Sequence, residues 1–436
     1  MAEILPIRAW RYRDDLAKNM EALTAPLFDV VSQKQRDILY KNPINSIHLS
    51  VPQGTDPAKE AKSILNKWKT EGILIQDHRP GIYVYYQYFR LPGEEMERCR
   101  KGFIAHIKAY DWIESEILRH EQTIHSAVSD RIDLLRSTEI QASPTHGLYE
   151  DEENELEALM DLAMENPLYD LEDYQGVREV LGVITDPKAI AKFVATLSAK
   201  KVILADGHHR LEAAIAYRKE MAEVNKDVTW KGTDYHIMYL TNIHGNHLQI
   251  LPTHRLYYGY PHSKEKFLDD LEPWFESRFL GDAEELATYA FQRKWSFGLI
   301  WGDAAYVIKF RPEKFDVIAE AFPEALRELD VVILHYILFY KVLGLSMEDQ
   351  RHSAHLGFER NFSRCLLEVE SDIASFAVIT REVDLKQVVE VCKSGHVMPQ
   401  KSTYFYPKAL GGLLFGSIKQ EEFNYDYAQF FNQSSL

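Results

Sequence analysis

Cysteine is scarce in this sequence: three residues, Cys99, Cys365 and Cys392, occur among 436. Their number is odd, they lie far apart, and no two have the Cys-x-x-Cys spacing of a thiolate zinc site. A disulfide framework and a thiolate zinc site are therefore excluded as the basis of the fold. We expect the chain to work in a reducing compartment, the cytoplasm.

The sequence also lacks an excess of basic residues. It contains 50 Lys and Arg against 66 Asp and Glu, which gives a formal net charge of -16. A surface of this sign repels a phosphate backbone, and no basic patch stands out to overcome the repulsion. We therefore expect a small ligand in a local basic pocket and no nucleic-acid partner.

Long apolar runs are missing too. The most apolar stretch, residues 331–345, contains His335 and Lys341 and falls short of the roughly 20 residues that a bilayer requires. The first residues lack the basic start and apolar core of a secretory signal. We interpret 331–345 as a buried helix and expect no membrane partner.

Several common catalytic motifs do not occur. The sequence has no G-x-x-x-x-G-K-[ST] loop, no G-x-G-x-x-G fingerprint, no G-x-S-x-G elbow and no kinase H-R-D or D-F-G set. His120 and His125 flank a segment that superficially resembles a zinc protease helix. A spacing of five residues turns them about 140° apart on a helix, which excludes that metal site.

The residues that are present have the balance of an ordinary globular protein, with 46% hydrophobic and 27% charged. The length exceeds the roughly 250–300 residues at which a single core stops growing. We predict a mixed α/β (α+β) fold in two domains, 1–260 and 261–436, with a soft boundary.

Local patterns predict individual elements. Ser32 and Gln35 have capping-box spacing at a helix start, and a helix at Pro57–Thr70 should end near Gly72. Residues 46–51 favour a strand, and 81–107 an aromatic hairpin. An acidic surface helix is expected within 150–173.

The strongest candidate for function is the loop Asp206-Gly207-His208-His209-Arg210, between a predicted strand at 200–205 and a predicted helix at 211–218. Glycine lets a backbone approach an anion, the helix start presents N–H groups, and Arg210 offers a planar donor fork. Asp206 could hold Mg²⁺ or orient a histidine. The alternative is a capped turn with its polar side chains in solvent. The crowding of ionisable groups favours a polyanion-binding loop.

Other segments carry weaker signals. Glu121 is a candidate general base, and Asp130-Arg131 a second charged element; the alternative for each is a surface salt bridge. Two basic tripeptides could donate to phosphate, or else be solvated surface. They are Thr253-His254-Arg255 and Lys401-Ser402-Thr403.

The chain resembles the DUF1015 family, a group defined by sequence and named for its lack of an assigned function, nearly from end to end. The segments that carry the resemblance are 8–12, 25–30, 120–123, 130–135, 143–149, 205–210, 251–255 and 398–408. The sequence departs from the family pattern at Leu27, Gln122 and Ala127. Gln122 stands where Arg is common, so one potential phosphate donor is lost there.

The Asp-Gly-His-His-Arg signature is also similar to that of ParB/sulfiredoxin-like proteins, which include nucleotide hydrolases and kinases that phosphorylate free L-serine. This resemblance implies a ParB/sulfiredoxin-like nucleotide-binding core with an additional α+β region. It further implies that Asp206, His208, His209 and Arg210 hold nucleotide phosphates and Mg²⁺. A carboxylate would accept the proton of the attacking hydroxyl, and Glu121 is expected to be that base.

The function that these observations predict is a small-molecule kinase that uses ATP or ADP, with free L-serine as the leading acceptor and O-phosphoserine as product. The expected catalytic residues are Glu121, Asp206 and His209, and Asp206 is also the expected Mg²⁺ ligand. The expected nucleotide- and phosphate-binding residues are Gly207, His208, Arg210, His120, Thr123, Arg131, Thr253, His254, Arg255, Lys401, Ser402 and Thr403. The alternative is a nucleotide-binding or nucleotide-hydrolysing regulator without a metabolite acceptor. A nuclease is disfavoured because a basic groove and a second metal-binding carboxylate cluster are lacking.

Overall fold

The computed structural model describes residues 2–91, 93–123, 125–224, 226–245, 247–286 and 293–431. The chain divides into two compact units. The first consists of Met1–Arg119, Thr123–Leu248 and Pro407–Leu436, and the second of His120–Gln122 and Gln249–Tyr406. Both units combine strands with helices, so the predicted mixed α/β class is confirmed.

The division differs from the predicted domains 1–260 and 261–436. The second unit begins at Gln249, and the C-terminal segment Pro407–Leu436 belongs to the first unit. Backbone pairing explains this return, because Phe415 exchanges hydrogen bonds with Trp10, and Gly416–Ser417 pairs with Ile140–Gln141. Such long-range pairing leaves no trace in local composition, which is what the predicted boundary used.

A large mixed sheet forms the centre of the first unit. Its neighbouring strands are, in order, Ile117–Leu118, Val202–Asp206, Thr145–Tyr149, Tyr235–Asn242, Arg98–Lys108, Ile82–Phe89, Arg178–Ile184 and Tyr169–Glu172, and Ile4–Leu5 also pairs with Arg98–Lys108. The strands Ile82–Phe89 and Arg98–Lys108 are antiparallel partners, which confirms the predicted aromatic hairpin. A smaller pair joins Trp10–Tyr12 to Leu74–Gln76.

Both faces of this sheet are buried. Ile82, Val84 and Tyr86 point into one apolar cluster, whereas Tyr83 and Tyr85 point into the other. This alternation follows from the two-residue period of a strand. A strand buried on both faces reads as a continuous apolar run, which is why 82–89 is so rich in aromatic residues.

Helices of the first unit pack on this sheet and on one another. Their bounds are Met20–Leu23, Gln33–Leu39, Ile47–Ser50, Pro57–Thr70, His125–Thr138, Glu157–Ala163, Pro187–Ser198, His208–Glu220 and Gln420–Phe423, with 3₁₀ turns at Asp14–Asn19, Trp112–Glu114, Gly232–Asp234 and Tyr427–Phe430. The capping box of Ser32 with Gln35 is present, and Pro57–Thr70 is a helix as predicted. Within the acidic segment, Glu157–Ala163 is helical and buries Met160.

The predicted strand at 46–51 is wrong, because the structure has the short helix Ile47–Ser50 there. The buried side chain of Asn45 starts this turn by accepting a hydrogen bond from the N–H of Ile47 at 2.8 Å. Asn commonly initiates a turn in this way. The β-branched and apolar residues that favoured a strand fill a buried helical turn instead.

The second unit has its own sheet and helices. The strand order is Phe275–Gly281, Ala304–Phe310, Ser296–Trp301, Phe376–Ile379, His254–Tyr257 and Leu356–Glu359, and a separate pair joins Gln249–Ile250 to Phe405–Tyr406. Its helices are Lys264–Leu271, Phe315–Ala321, Glu324–Arg327, Asp330–Ile333, Phe362–Glu370 and Leu385–Lys393, with a π-helix at Leu334–Val342 and 3₁₀ turns at Ala283–Glu285, Pro312–Lys314 and Asp349–Arg351.

The apolar stretch 331–345 lies in the core of the second unit, packed with Phe267, Phe297 and Phe376. It is therefore the buried helix that the sequence predicted. Among the residues that the structure describes, no helix combines the length and apolar character that crossing a bilayer requires.

Candidate functional site

The loop at Asp206 has the predicted strand-to-helix placement. The strand Val202–Asp206 ends at the carboxylate and the helix His208–Glu220 begins directly after Gly207. Gly207 has a φ of 89°, and a Cβ there would lie 2.6 Å from the Thr145 Cγ2 and 2.9 Å from the Arg210 Nη2. Only glycine meets both conditions without strain.

Asp206 is held between two cations. Its Oδ2 accepts a hydrogen bond from Arg210 at 3.0 Å, and its Oδ1 accepts one from Lys408. Burial by itself raises the pKa of a carboxyl, but Lys408 and Arg210 outweigh it and hold the pKa of Asp206 well below its usual range. Asp206 is therefore an ionised anchor that fixes two basic side chains.

These contacts do not leave Asp206 free to bind Mg²⁺, the role predicted for it. Both carboxylate oxygens of Asp206 already accept from cations, and a divalent ion there would have to displace them. Among the described residues, no group of three or more His, Cys, Asp or Glu side chains is placed to hold a metal ion. Mg²⁺ commonly enters such sites on substrate phosphates with few protein ligands.

Asp206 belongs to a row of polar residues that crosses three neighbouring strands. Asp206 is paired with His146, and His146 is paired with Tyr239. The His146 ring stacks on the Tyr239 ring at 5.1 Å, and its Nε2 lies 2.8 Å from the Thr241 Oγ1. Burial, followed by the charge of Arg100, lowers the pKa of His146 well below its usual value, so this imidazole is neutral.

A second row lies on the same sheet. Glu179 is opposite Gln87, and Gln87 is opposite Arg100. Gln87 donates to Glu179 at 3.1 Å and accepts from Arg100. Arg100 also donates to the carbonyl of Pro407. The row therefore fixes the start of the returning C-terminal segment, from which Lys408 reaches Asp206.

The two rows hold three basic side chains of low exposure. Arg100 and Arg210 are buried, and the Lys408 side chain is 11% exposed. They accompany the carboxyls of Asp206 and Glu179, and burial raises the pKa of Glu179 to about 8. This concentration of basic groups is suited to an anionic ligand.

The remaining side chains of the loop follow the helix. His208 is buried and His209 half-buried in its first turn. Arg210 donates to the Ser143 Oγ at 3.1 Å and to the carbonyl of Pro144 at 2.5 Å. Gly207, the residue before the helix, has no side chain that could cap the helix start, where first-turn N–H groups lack intrahelical acceptors. This end of the helix has the positive pole that binds anions.

The second unit brings three of the predicted segments together. The His120 Nε2 lies 2.8 Å from the Thr403 Oγ1, and the carboxylate of Glu121 accepts a hydrogen bond from the backbone N–H of Lys401. Lys401 has a φ of 57°, a conformation that costs energy in a residue with a side chain. The Glu121 contact stabilises that turn.

Arg255 joins the same cluster from its strand. It is buried and donates to the carbonyls of Thr253 and of Lys401, the latter at 3.3 Å. Its Nη2 also donates to the His335 Nε2 at 3.1 Å, so the proton of that ring is on Nδ1, 2.6 Å from the Gln350 Oε1. Burial lowers the pKa of Arg255 to about 9, although the charge of Glu121 acts in the opposite direction.

Other predicted site residues lie elsewhere or face other partners. The His254 Nδ1 accepts from the Thr380 N–H at 3.2 Å, and Ser402 donates to the carbonyl of Pro399. Thr123 and Arg131 belong to the first unit, where Arg131 donates to the carbonyl of Ser50 at 2.7 Å. The loop at Asp206 is also in the first unit, whereas Glu121, Arg255 and Lys401 are in the second.

Sequence reasoning missed several residues of these clusters. Lys408 was noted only as the last residue of a resembling segment, and Arg100 and Glu179 were not singled out. A carboxylate at 179 in an otherwise apolar strand is a usable signal, because a charged residue on a buried face needs a partner. His335 was noted only as an interruption of an apolar stretch.

The sequence matches the model of one family, DUF1015, described as a protein of unknown function, over residues 4–332. The chain belongs to this family. The resembling segment 398–408 lies outside the matched range. No curated protein matches the sequence.

Three solved structures illustrate what the fold is similar to. A variant of a free serine kinase in complex with AMP has a TM-score of 0.37 and 12% identity, covering 69% of this chain and 87% of that chain. A conserved hypothetical protein from Pyrococcus furiosus has a TM-score of 0.35 and 14% identity, covering 69% and 90%. SbnI with a C-terminal truncation, from Staphylococcus aureus, has a TM-score of 0.37 and 10% identity, covering 76% and 93%. These scores are low, so the proposals below rest on the chain's own residues.

Proposed function

We propose that the chain is a phosphotransferase that moves a phosphoryl group from ATP or ADP to the hydroxyl of a small metabolite, with free L-serine as the leading acceptor. The two basic side chains that Asp206 holds, Arg210 and Lys408, lie at the start of the helix His208–Glu220, and this is the observation that carries the proposal. A phosphate chain would compensate this charge and accept hydrogen bonds from the helix start. The ParB/sulfiredoxin-like character of this core is part of the proposal.

Asp206 and the basic side chains around it each have a proposed role. Arg210 and Lys408 neutralise charge on the phosphates, and His209 contacts them from the first helical turn. Asp206 is a positioning residue, since it touches both cations and orients them. Phosphoryl transfer depends mainly on positioning and charge stabilisation, which these groups supply without covalent chemistry.

The proposed base belongs to the cluster in the second unit, which consists of His120, Glu121, Arg255, Lys401 and Thr403. Glu121 accepts the proton of the acceptor hydroxyl as its oxygen forms a bond to the terminal phosphorus. The bond from that phosphorus to the departing ADP, or AMP when ADP is the donor, breaks at the same time. Arg255, buried beside neutral His335, is proposed to stabilise the charge of the transferred group together with His120, Lys401 and Thr403.

One observation favours a second candidate, a nucleotide-binding regulator without a metabolite acceptor. The Glu121 carboxylate already accepts a hydrogen bond from the Lys401 N–H, which is what a purely structural anchor does. In that case Glu121 orders a turn and takes no proton. Nucleotide binding would then persist without acceptor-dependent turnover.

The test is an assay of the purified chain with Mg²⁺, ATP or ADP, and L-serine, followed by detection of O-phosphoserine and nucleotide products. Glu121→Gln should lower the rate by at least about 100-fold, the usual contribution of general base catalysis, while nucleotide affinity stays within about twofold. Lys408→Met should weaken nucleotide binding instead. The matched control is Glu390→Gln, exposed on the helix Leu385–Lys393 of the second unit, which should leave both quantities unchanged.

Absence of a phosphorylated product with L-serine and with a panel of other hydroxyl compounds would refute the kinase. Nucleotide binding that remains in that case, and weakens in Lys408→Met, would select the regulator. If Glu390→Gln lost as much turnover as Glu121→Gln, the loss would not identify Glu121 as the base.

A further inference from the structure

The first unit contains a pocket of about 530 Å³ between the helices His125–Thr138 and His208–Glu220, to which both helices contribute lining residues. Phe28, Leu134 and Leu135 form apolar walls. The polar residues of the lining indicate what kind of ligand the pocket would take.

His236 is the most informative lining residue. Its side chain is 3% exposed, and neither ring nitrogen has a hydrogen-bond partner among the described residues. Burial, with a contribution from the charge of Arg210, lowers its pKa to about 3. The ring is neutral, so one nitrogen donates and the other accepts. A buried ring without partners is unfavourable unless a bound molecule supplies them.

Two further residues that line the pocket have a buried polar atom without a partner among the described residues. These atoms are the Ser50 Oγ and the Arg210 Nε. Together with His236, the lining residues hold two unpartnered N–H donors, one nitrogen acceptor and a hydroxyl that does both. A complementary ligand must both donate and accept, so a carboxylate, which only accepts, would leave the imidazole acceptor unmatched.

Both arginines that line the pocket are in ion pairs. Arg210 pairs with Asp206, and Arg131 pairs with Asp130. The guanidinium of Arg131 also lies 4.5 Å from the centre of the Phe28 ring. A paired guanidinium over an aromatic ring offers a surface on which a planar ring can stack. A neutral ligand with apolar faces fits these walls.

We propose that this pocket binds a planar neutral heterocycle whose edge carries both hydrogen-bond donors and acceptors, as a nucleobase does. Such a ring has two possible sources, the base of a nucleotide whose phosphates bind at the Asp206 loop, or a separate heterocyclic ligand. Arg210 belongs to both places, because its Nη2 donates to Asp206 and the residue also lines the pocket. The inference rests on the lining atoms and does not depend on phosphoryl transfer.

The experiment is calorimetric titration of the full chain with adenosine, guanosine, cytidine and uridine, and with ribose as the ligand that lacks a base. At least one nucleoside should bind and ribose should not. His236→Phe removes both ring nitrogens, and Leu134→Trp places a larger side chain at a partly exposed lining position. Each should weaken nucleoside binding at least tenfold. Asp133→Asn, exposed on the same helix as Leu134, is the matched control and should bind as the wild type does.

Saturation with ATP distinguishes the two sources. If the ring belongs to the donor nucleotide, ATP abolishes nucleoside binding, and Leu134→Trp weakens ATP but not tripolyphosphate. If a separate ligand binds there, the nucleoside titrates equally into the ATP-saturated protein. Failure of every nucleoside to bind the wild type would overturn the proposal, as would equal affinity in wild type, Leu134→Trp and His236→Phe. Neither result would alter the serine phosphorylation assay, so the two proposals fail separately.

Discussion

Replacing Lys408 by Met should destabilise the first unit much more than replacing an exposed lysine. The ammonium of Lys408 and the carboxylate of Asp206 are each 11% exposed in their side chains. Methionine is close in length but carries no charge, so the substitution leaves Asp206 ionised, buried and short of one partner. The loss of stability comes from the buried carboxylate that has lost one partner more than from lost packing.

The expected size follows from the geometry. Breaking a buried ion pair from one side costs about 3–5 kcal/mol, and Arg210 remains 3.0 Å from Asp206, so we expect the lower end, about 3 kcal/mol. Lys192 and Glu155 form an exposed control pair, with side chains 47% and 43% accessible. Lys192→Met should cost under about 1 kcal/mol.

The measurement is urea-induced unfolding at pH 7, monitored by circular dichroism and by intrinsic fluorescence. Agreement between the two probes tests whether one transition can be assigned. A double-mutant cycle with Asp206→Asn isolates the pair, because the double variant should be more stable than the sum of the single losses implies.

Equal losses in Lys408→Met and Lys192→Met would refute the reasoning, as would strict additivity of Lys408→Met and Asp206→Asn. The effect of pH gives an independent check. The pKa of Asp206 is lower in the folded protein than its ordinary value of 3.8. Its contribution to stability is therefore present above pH 3.8 and is lost as the pH falls further. The difference between wild type and Lys408→Met should shrink below pH 4.

Three other predictions concern stability. Burial raises the pKa of Glu179 from 4.5 to about 8, so its contribution to stability is complete below pH 4.5 and is lost as the pH rises to 8. The free energy of unfolding should fall by up to about 1.4 kcal/mol per pH unit in that window. Glu179→Gln should flatten this dependence of stability on pH. Gly207→Ala should cost about 1–3 kcal/mol in urea unfolding, because its φ of 89° strains any side chain, whereas no loss would contradict the close contacts. Gln350→Leu leaves the Nδ1 proton of His335 without its acceptor and should cost about 1–3 kcal/mol; an unchanged unfolding midpoint would contradict this.

Local signals predicted local structure well. The capping box at Ser32 and the helix Pro57–Thr70 depend on neighbouring residues alone, and the strand, loop and helix around Asp206 could be recognised for the same reason. The segment 46–51 shows the limit of such signals. There the residues form a helical turn despite their strand preference, and the Asn45 side chain accepts a hydrogen bond from the Ile47 N–H at its start.

The contacts around Asp206 were predicted only in part. Gly207, Asp206 and Arg210 are adjacent in sequence, so their grouping was visible. Lys408 lies 202 residues from Asp206, and their contact depends on the pairing of the C-terminal segment with Trp10 and with Ile140–Gln141. Such contacts are a property of the sheet register, which the sequence of one chain does not display.

The return of Pro407–Leu436 to the first unit has a consequence for biosynthesis. A ribosome that adds about 5–20 residues per second needs roughly 10–40 s to advance the 202 residues from Asp206 to Lys408. During that interval the nascent chain contains Asp206 and Arg210 but not their third partner. A chain released early would lack both Lys408 and the strand Gly416–Ser417 that pairs with Ile140–Gln141. The contact between Asp206 and Lys408 therefore forms only after residue 408 has been translated, long after the loop that carries Asp206.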